Sequence, residues 1–404
     1  MKFAILGCGY VAEFYGKTLP NYPALKFLGA HDLDAQKQAA YLRMFPGRAY
    51  ASLDELLADP AVELVLNLTN PRAHFETTRR CLLAGKHVYS EKPLAMNTAD
   101  ATQLAALARE KNLRLASAPC SVLSETAQTL GKALRDGVIG KVRLVYANFD
   151  DGMIAPRQAP WNWRNGLGSA WPAKDEFEVG CTYEHAGYVL TWLAAFFGPA
   201  RRITAFASCQ LPEKGIPVER MAPDFTVGCL EYDRQIVARV TCGLVAPLDK
   251  SLTIIGDEGV LTVRNVRQDA GPVWLRRYTE TGWRARLIGL ANRAQRLLDA
   301  WCPALPWCGK EWVWSRRLPL IRQPVGRFVS AGKPVDFARG PAELADAIRE
   351  QRECRLSADL ACHLVELVER LQYPGTTMPH PLSQSFAPLG PVGALKHSSS
   401  FLHI

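Results

Sequence analysis

Gly7-Cys8-Gly9-Tyr10-Val11-Ala12 stands directly behind an apolar run, Phe3 to Leu6, and ahead of an amphipathic stretch. Two glycines and a small residue at this spacing, between a strand and a helix, suit the binding of a dinucleotide. Gly7 permits the tight turn, Gly9 lets the backbone approach a pyrophosphate, and Ala12 is small enough for helix and strand to pack closely. The helix N-terminus, where Tyr10 and Val11 lie, supplies free N–H groups and partial positive charge for the phosphates. Asp32 follows Gly9 by 23 residues, at the end of the second predicted strand. There a carboxylate can accept hydrogen bonds from the adenosine ribose. Leu33 rather than an arginine comes next, which favours NAD over NADP, because a 2′-phosphate would meet a carboxylate with no guanidinium beside it. The structural alternative is that Asp32 caps the helix starting near Asp34.

The elements that position such a site alternate along the first third of the chain. Phe3 to Leu6, Lys26 to Ala30, Glu63 to Leu68, His87 to Tyr89 and Arg114 to Ala116 are short apolar runs. Between them Tyr10 to Leu19, Ala35 to Arg43, Leu53 to Leu57, Phe75 to Ala84 and Asn97 to Lys111 carry helical periodicity. Ser52 is placed to cap the helix containing Glu55, and Thr98 to open the last one. This alternation predicts a parallel sheet with crossover helices. After a helix from Ser124 to Arg135, segments rich in Val, Thr and Tyr predict strands at Arg143–Phe149, Arg202–Cys209, Phe225–Tyr232, Ile236–Leu244, Ser251–Ile255 and Val260–Val263. Helices at Pro341–Ile348 and Ala358–Leu371 close the pattern. The fold class is α/β: an N-terminal Rossmann domain (1–122), then an α+β domain (123–373) with a large, mainly antiparallel open sheet, then a flexible C-terminal tail (374–404) rich in Pro, Ser and Gly.

Length and composition agree with a soluble globular protein of two domains: 404 residues, 48% hydrophobic, no long uninterrupted apolar run and no signal-peptide pattern at the N-terminus. The eleven cysteines are odd in number and scattered without any Cys-x-x-Cys pair, so neither a disulfide framework nor a metal site is expected, and reduced thiols imply a cytoplasmic setting. The net charge of +9 sits almost wholly in a basic, Trp-rich insert at about 276–327, where ten Arg and one Lys face three acids. No reading motif accompanies this charge, so nucleic acid is not an expected partner. Leu287, Leu290, Ala291, Ala294, Leu298 and Trp301 recur at helical spacing among Arg286, Arg293 and Arg296. Such a helix can lie on an anionic membrane surface, although packing on its own domain or on a partner subunit is the commoner use.

Further motifs follow the fingerprint: Asn67-Leu68-Thr69-Asn70-Pro71 with His74, Ala84-Gly85-Lys86-His87-Val88, and Glu91-Lys92-Pro93 at the end of a later strand of the same predicted sheet. In this order they closely resemble the Gfo/Idh/MocA family, which includes glucose-fructose oxidoreductase and inositol dehydrogenase. The resemblance covers most of the chain, through Trp163-Arg164, the segment from Gly180 to Tyr188, Gly198, Asp224-Phe225, Ile255-Gly256-Asp257-Glu258-Gly259 and Asp336-Phe337. It implies hydride transfer between a nicotinamide and a sugar, cyclitol or related alcohol or carbonyl. Thr69, Asn70, His74, Glu91 and Lys92 are implied at the cofactor, Trp163 and Arg164 at the substrate, and homo-oligomer formation through the open sheet. Counted back from Gly198, Glu184 falls on the family's usual Asp, Ala186 on its Gly and Tyr188 on its usual His, a place where some members carry tyrosine. His185, one residue past the acidic position, is the alternative proton carrier.

Oxidising a secondary alcohol requires a general base within hydrogen-bond reach of the hydroxyl. Lys92 beside Tyr188 is expected to lower the phenol's pKa and so to make an acid–base pair. If residues 183 to 195 are helical, Glu184 and Tyr188 share a face and His185 is turned about 100° away. Glu184 then orients Lys92 or a substrate hydroxyl. The structural alternative is an ordinary Lys92–Glu184 ion pair with Tyr188 in the core. Lys174, Trp161 and Trp171 are further candidates for substrate contact. Two other functional classes remain open: an NAD-dependent glycosidase of the same fold, and a non-catalytic sensor, against which the intact Lys92 speaks.

Overall fold

The computed structural model of the chain describes residues 1–154, 158–278, 283–301, 315–322, 335–375, 380–381 and 384–390. Its first sheet holds six parallel strands: β1 (Lys2–Leu6), β2 (Lys26–His31), β3 (Arg48–Ala49), β4 (Leu64–Asn67), β5 (His87–Ser90) and β6 (Leu115–Ser117). Their order is β3-β2-β1-β4-β5-β6. The order reverses between β1 and β4, and ligands of such sheets lie outside the carboxyl ends of the strands at this switch. β4 is buried along its whole length and β1 from Phe3 onward, as strands covered on both faces must be.

The crossover helices are α1 (Ala12–Thr18), α2 (Ala35–Met44), α3 (Leu53–Ala58), α4 (His74–Leu83) and α5 (Thr98–Glu110). Ser52 caps α3, accepting from the Glu55 N–H. The cap of α5 falls on Asn97 rather than Thr98: the Asn97 side chain accepts from the Asp100 N–H, while the Thr98 N–H donates to Glu369 at 2.9 Å. The two-residue β3 carried too little pattern to be seen in sequence.

After α6 (Glu125–Arg135) comes the second sheet, with β7 (Val142–Asp150), β8 (Arg202–Ser208), β9 (Phe225–Tyr232), β10 (Ile236–Gly243), β11 (Leu252–Gly256), β12 (Gly259–Val263), β13 (Val273–Arg277), β14 (Arg316–Arg317) and β15 (His380–Pro381). Its order is β14-β13-β12-β11-β7-β10-β9-β8-β15, and only β7 and β10 run parallel. Alternating burial along β9 and β10 marks a sheet with one packed and one open face. Between β7 and β8 lie α7 (Ala173–Val179), a π-helical turn (Thr182–Ala186) and α8 (Gly187–Phe197). The open face leaves Leu144, Tyr146 and Phe206 exposed.

α9 (Trp283–Trp301), α10 (Arg339–Arg349) and α11 (Ala358–Gln372) complete the helices. α11 serves both sheets. Its Ala361, Cys362 and Val365 join the apolar cluster of Leu104, Ala108 and Leu115, while Leu364, Leu367, Val368 and Leu371 join the core under the nine-stranded sheet. Much of the basic insert lies outside the described residues. Its helix α9 leaves Arg286, Leu287, Leu290, Arg293 and Leu297 exposed rather than packed on the body. No described helix is long and apolar enough to cross a membrane. Within the segment expected to be a loose tail, β15 pairs with β8 and Phe386 packs against His363.

Candidate active site

The cofactor wall is built from strand ends. Gly7 follows β1 with φ +94°, and a Cβ there would sit 2.7 Å from the Leu68 carbonyl oxygen, so glycine is required both by conformation and by space. A Cβ on Gly9 would meet nothing within 4 Å, because Gly9 borders an open cavity together with Tyr10 and Val11. An open glycine cradle at a helix start is what a dinucleotide's phosphates need, so these residues fit the group the fingerprint implies. Asp32 ends β2. One of its oxygens accepts from the Cys8 N–H at 2.6 Å and the other from the Asp34 N–H at 2.7 Å. The cap of α2 is Asp34, which accepts from Gln36 and Lys37, so Asp32 ties the fingerprint turn to the end of β2 instead of capping the helix.

Thr69 and Asn70 follow β4. His74, the first residue of α4, is buried with Nε2 2.8 Å from the Thr69 carbonyl and Nδ1 2.6 Å from that of Pro93. It therefore braces the loop after β4 against the loop after β5, and burial lowers its pKa. Asn70 donates to Asp175 at 2.9 Å. Glu91 accepts from the Tyr15 hydroxyl at 2.7 Å and from the Lys92 N–H at 3.0 Å. Held this way, Lys92 projects from the end of β5 across the cavity, where its Nζ meets Glu184 Oε2 at 2.5 Å.

The opposite wall belongs to the second sheet and its helices. Gly180, at φ +97°, ends α7 and the chain enters the π-helical turn. A π turn is wider than an α turn, so Glu184, His185 and Tyr188 all border the cavity. The expectation that His185 turns away assumed α-helical spacing and is corrected here. His185 lies between two carboxylates, Nδ1 3.1 Å from Asp151 and Nε2 3.6 Å from Glu176. Lys250 forms an ion pair with Asp151 on its other side. Tyr188 stacks on Phe149, with centroids 5.0 Å apart and an interplanar angle of 12°, and the Arg267 guanidinium lies 4.7 Å from its ring centroid.

Burial dominates the electrostatics of this wall. It pushes the His185 imidazole down to about 4 and the Glu176 carboxyl well above the usual carboxylate range, the latter with help from Glu184. Burial also opposes the Lys92 ammonium, but Glu184, Tyr188, Glu176 and Glu91 overcome it and hold Lys92 above the ordinary lysine value. Tyr188 is raised rather than lowered: burial outweighs the opposing pull of Arg267 and Lys92. The expected tuning fails because the cost of burying a phenolate exceeds the attraction that Lys92 and Arg267 offer it.

The cavity between the walls measures about 740 Å³, a size that takes a cofactor end and a small polar substrate. Trp163 and Trp171 border it, with ring centroids 5.4 Å apart. Arg164 does not: it donates to the carbonyls of Trp161 and Trp163 at 2.9 and 3.0 Å on the exposed side. Lys174 is likewise turned outward, to Glu219 at 2.7 Å. Four residues that reasoning from the sequence missed complete the wall: Asp151, Glu176, Lys250 and Arg267. They come from four separate segments, and no local motif marks them.

Residues 1–118 match the model of an oxidoreductase family with an NAD-binding Rossmann fold, and residues 127–262 match the model of the GFO/IDH/MocA C-terminal domain. The chain belongs to the Gfo/Idh/MocA oxidoreductases. Among relatives of this Gfo/Idh/MocA chain, trans-1,2-dihydrobenzene-1,2-diol dehydrogenase of Mus musculus is 26% identical over 272 residues, which cover 66% of this chain and 75% of that protein. Solved structures share the fold as well. Aldose-aldose oxidoreductase of Caulobacter crescentus superposes with a TM-score of 0.70 at 18% identity, covering 95% of this chain and 99% of that one. Levoglucosan dehydrogenase, solved with NADH and levoglucosan, gives 0.71 at 15% identity, covering 92% and 96%.

Proposed function

We propose that this oxidoreductase is an NAD-dependent dehydrogenase or reductase acting on a CH–OH group of a sugar, cyclitol or sugar derivative. The Lys92–Glu184 contact at 2.5 Å carries the reading, because it joins the cofactor wall to the opposite wall at one point of the cavity. A nicotinamide, when bound, supplies the hydride acceptor or donor. Lys92, held cationic, donates to the carbinol or carbonyl oxygen and polarises it. Tyr188, which keeps its proton, donates to the same oxygen. Neutral His185 accepts the proton that leaves the hydroxyl, and Asp151 behind its Nδ1 stabilises the resulting imidazolium. Glu184 orients Lys92. Fold relatives named for aldoses and for levoglucosan support a carbohydrate substrate, as do the paired Trp163 and Trp171 rings.

Asp32 with both oxygens engaged, followed by Leu33 at 98% exposure and without charge, supports NAD over NADP. The exposed Leu144, Tyr146 and Phe206 on the open sheet support homo-oligomer formation, and the nine unpaired cysteines among the described residues support a cytoplasmic setting. The test is reduction of NAD with a panel of sugars, inositols and nucleotide sugars, comparing the native chain with Lys92→Ala. Turnover abolished by the substitution upholds the reading. Cleavage of a glycoside without net reduction would move it to a glycosidase, and cofactor binding without any turnover to a sensor.

A further inference from the structure

Four side-chain cations border the cavity, and three have a carboxylate partner. Lys92 meets Glu184 at 2.5 Å, Lys250 meets Asp151, and Lys37, at the cofactor end, lies 3.9 Å from Asp34. Arg267 is the fourth. It stands in the loop after β12, held there by its backbone N–H, which donates to the Asn265 side chain at 2.9 Å. Its guanidinium rests over the Tyr188 ring, and among the described residues no carboxylate is close enough to pair with it. The N–H fork of this side chain is thus presented to the cavity beside the phenol that faces the reacting oxygen.

We propose that Arg267 receives an anionic group of the substrate, so that the site takes an acidic sugar whose carboxylate or phosphate lies a few atoms from the hydroxyl held by Lys92 and Tyr188. This rests on the reading of the cavity as the substrate site. A planar guanidinium matches a carboxylate or phosphate through two parallel hydrogen bonds, a match that neither a lysine nor a neutral donor provides. The ring beneath fixes the plane of the fork, so less side-chain freedom is lost when a ligand binds. The acids of the same wall do not compete for this role. Asp151 is engaged by Lys250 and His185, Glu184 by Lys92, and Glu176 lies beside His185 with burial raising its carboxyl well above the usual carboxylate range. A neutral polyol would leave the guanidinium without a directly paired anion, its charge offset only by the longer-range attraction of Tyr188, Asp151 and the other acids of the wall.

The experiment is calorimetric titration of the NADH-saturated full chain with glucuronate, galacturonate and glucose 6-phosphate, and with the neutral parents glucose and galactose. It is run on the native protein, Arg267→Lys and Arg267→Met, with turnover followed in parallel. We expect the acidic probes to bind at least about tenfold tighter than their parents. In Arg267→Met that preference should fall by about thirtyfold or more, the scale of losing one partner of a buried charged hydrogen bond. Arg267→Lys keeps the charge without the fork and should retain only part of it. The stronger of the uronate and phosphate arms names the anion. Equal affinity for acids and parents, no binding of any acidic probe, or weakened NADH binding in both variants would each overturn the proposal, the last by giving the guanidinium to the cofactor. Binding is read without turnover. Arg267-dependent capture of an acid with no hydride transfer would therefore uphold this site while refuting the dehydrogenase reading, and turnover restricted to neutral sugars would do the reverse.

Discussion

The two walls of the cavity are built by different means. The cofactor wall is a matter of backbone shape: a left-handed Gly7, an open Gly9, an Asp32 bonded to two N–H groups, and a histidine bracing two loops. The opposite wall is a matter of charge. His185, Glu176 and Tyr188, together with Lys92 reaching them from across the cavity, are all displaced from their ordinary ionisation by burial and by charged neighbours. Shape is set by the turns that follow the strands of one sheet and tolerates few residue types at each position. Charge is set by residues distant in sequence, and each depends on its partner.

Substitutions can break or sharpen this contrast. The largest effect is expected at the point where the walls meet: Lys92→Met should lower kcat by about 10³-fold or more while leaving NADH affinity within a few-fold, read by steady-state kinetics and by fluorescence titration. A loss confined to NADH binding would assign Lys92 to the cofactor wall alone. Next come the two glycines. Gly7→Ala, strained and pressed against the Leu68 carbonyl, should cost about 3 kcal/mol in chemical denaturation. Gly9→Ala should leave stability within about 0.5 kcal/mol and weaken NADH about tenfold or more. Equal destabilisation by both would show that Gly9 is structural.

On the charged wall, Tyr188→Phe should lower kcat by about 10²-fold without removing any ionisation below about pH 9, because burial keeps the phenol protonated. A limb near neutrality that disappears in this variant would restore the tuned Lys92–Tyr188 pair. The smallest effect is on stability. The folded His185 pKa of about 4 lies below the ordinary value of 6.5. The neutral imidazole therefore contributes its full stabilisation above about pH 6.5, and about 3 kcal/mol of it is lost as pH falls toward 4. Melting curves across that range should converge for the native chain and His185→Gln; parallel curves would mean that His185 is hydrated.

The same contrast explains what could be read in the sequence. The first sheet was legible nearly strand by strand, since its apolar runs and helical periods are local, and the Gly7–Ala12 turn and Asp32 announce themselves by spacing. Most strands of the second sheet were legible from their β-branched residues. β13, β14 and β15 were not, being short or set amid arginines and prolines. The π turn at Thr182–Ala186 defeated the helical projection of His185, because its i→i+5 spacing departs from the 3.6-residue period on which the projection rests. Asp151, Glu176, Lys250 and Arg267 had no signal at all. Each is an ordinary charged residue until the sheet brings it to the cavity.

The two apolar faces of α11 carry a consequence for synthesis. When the six strands of the first sheet have left the ribosome, the surface formed by Leu104, Ala108 and Leu115 still awaits Ala361, Cys362 and Val365, which are translated after β7 through β13. The nascent first domain must therefore wait with an uncovered apolar flank while most of the second is made, a period in which a chaperone is best placed to bind it. The docking of this one late helix then covers the flank of the first sheet and part of the core beneath the second in a single step.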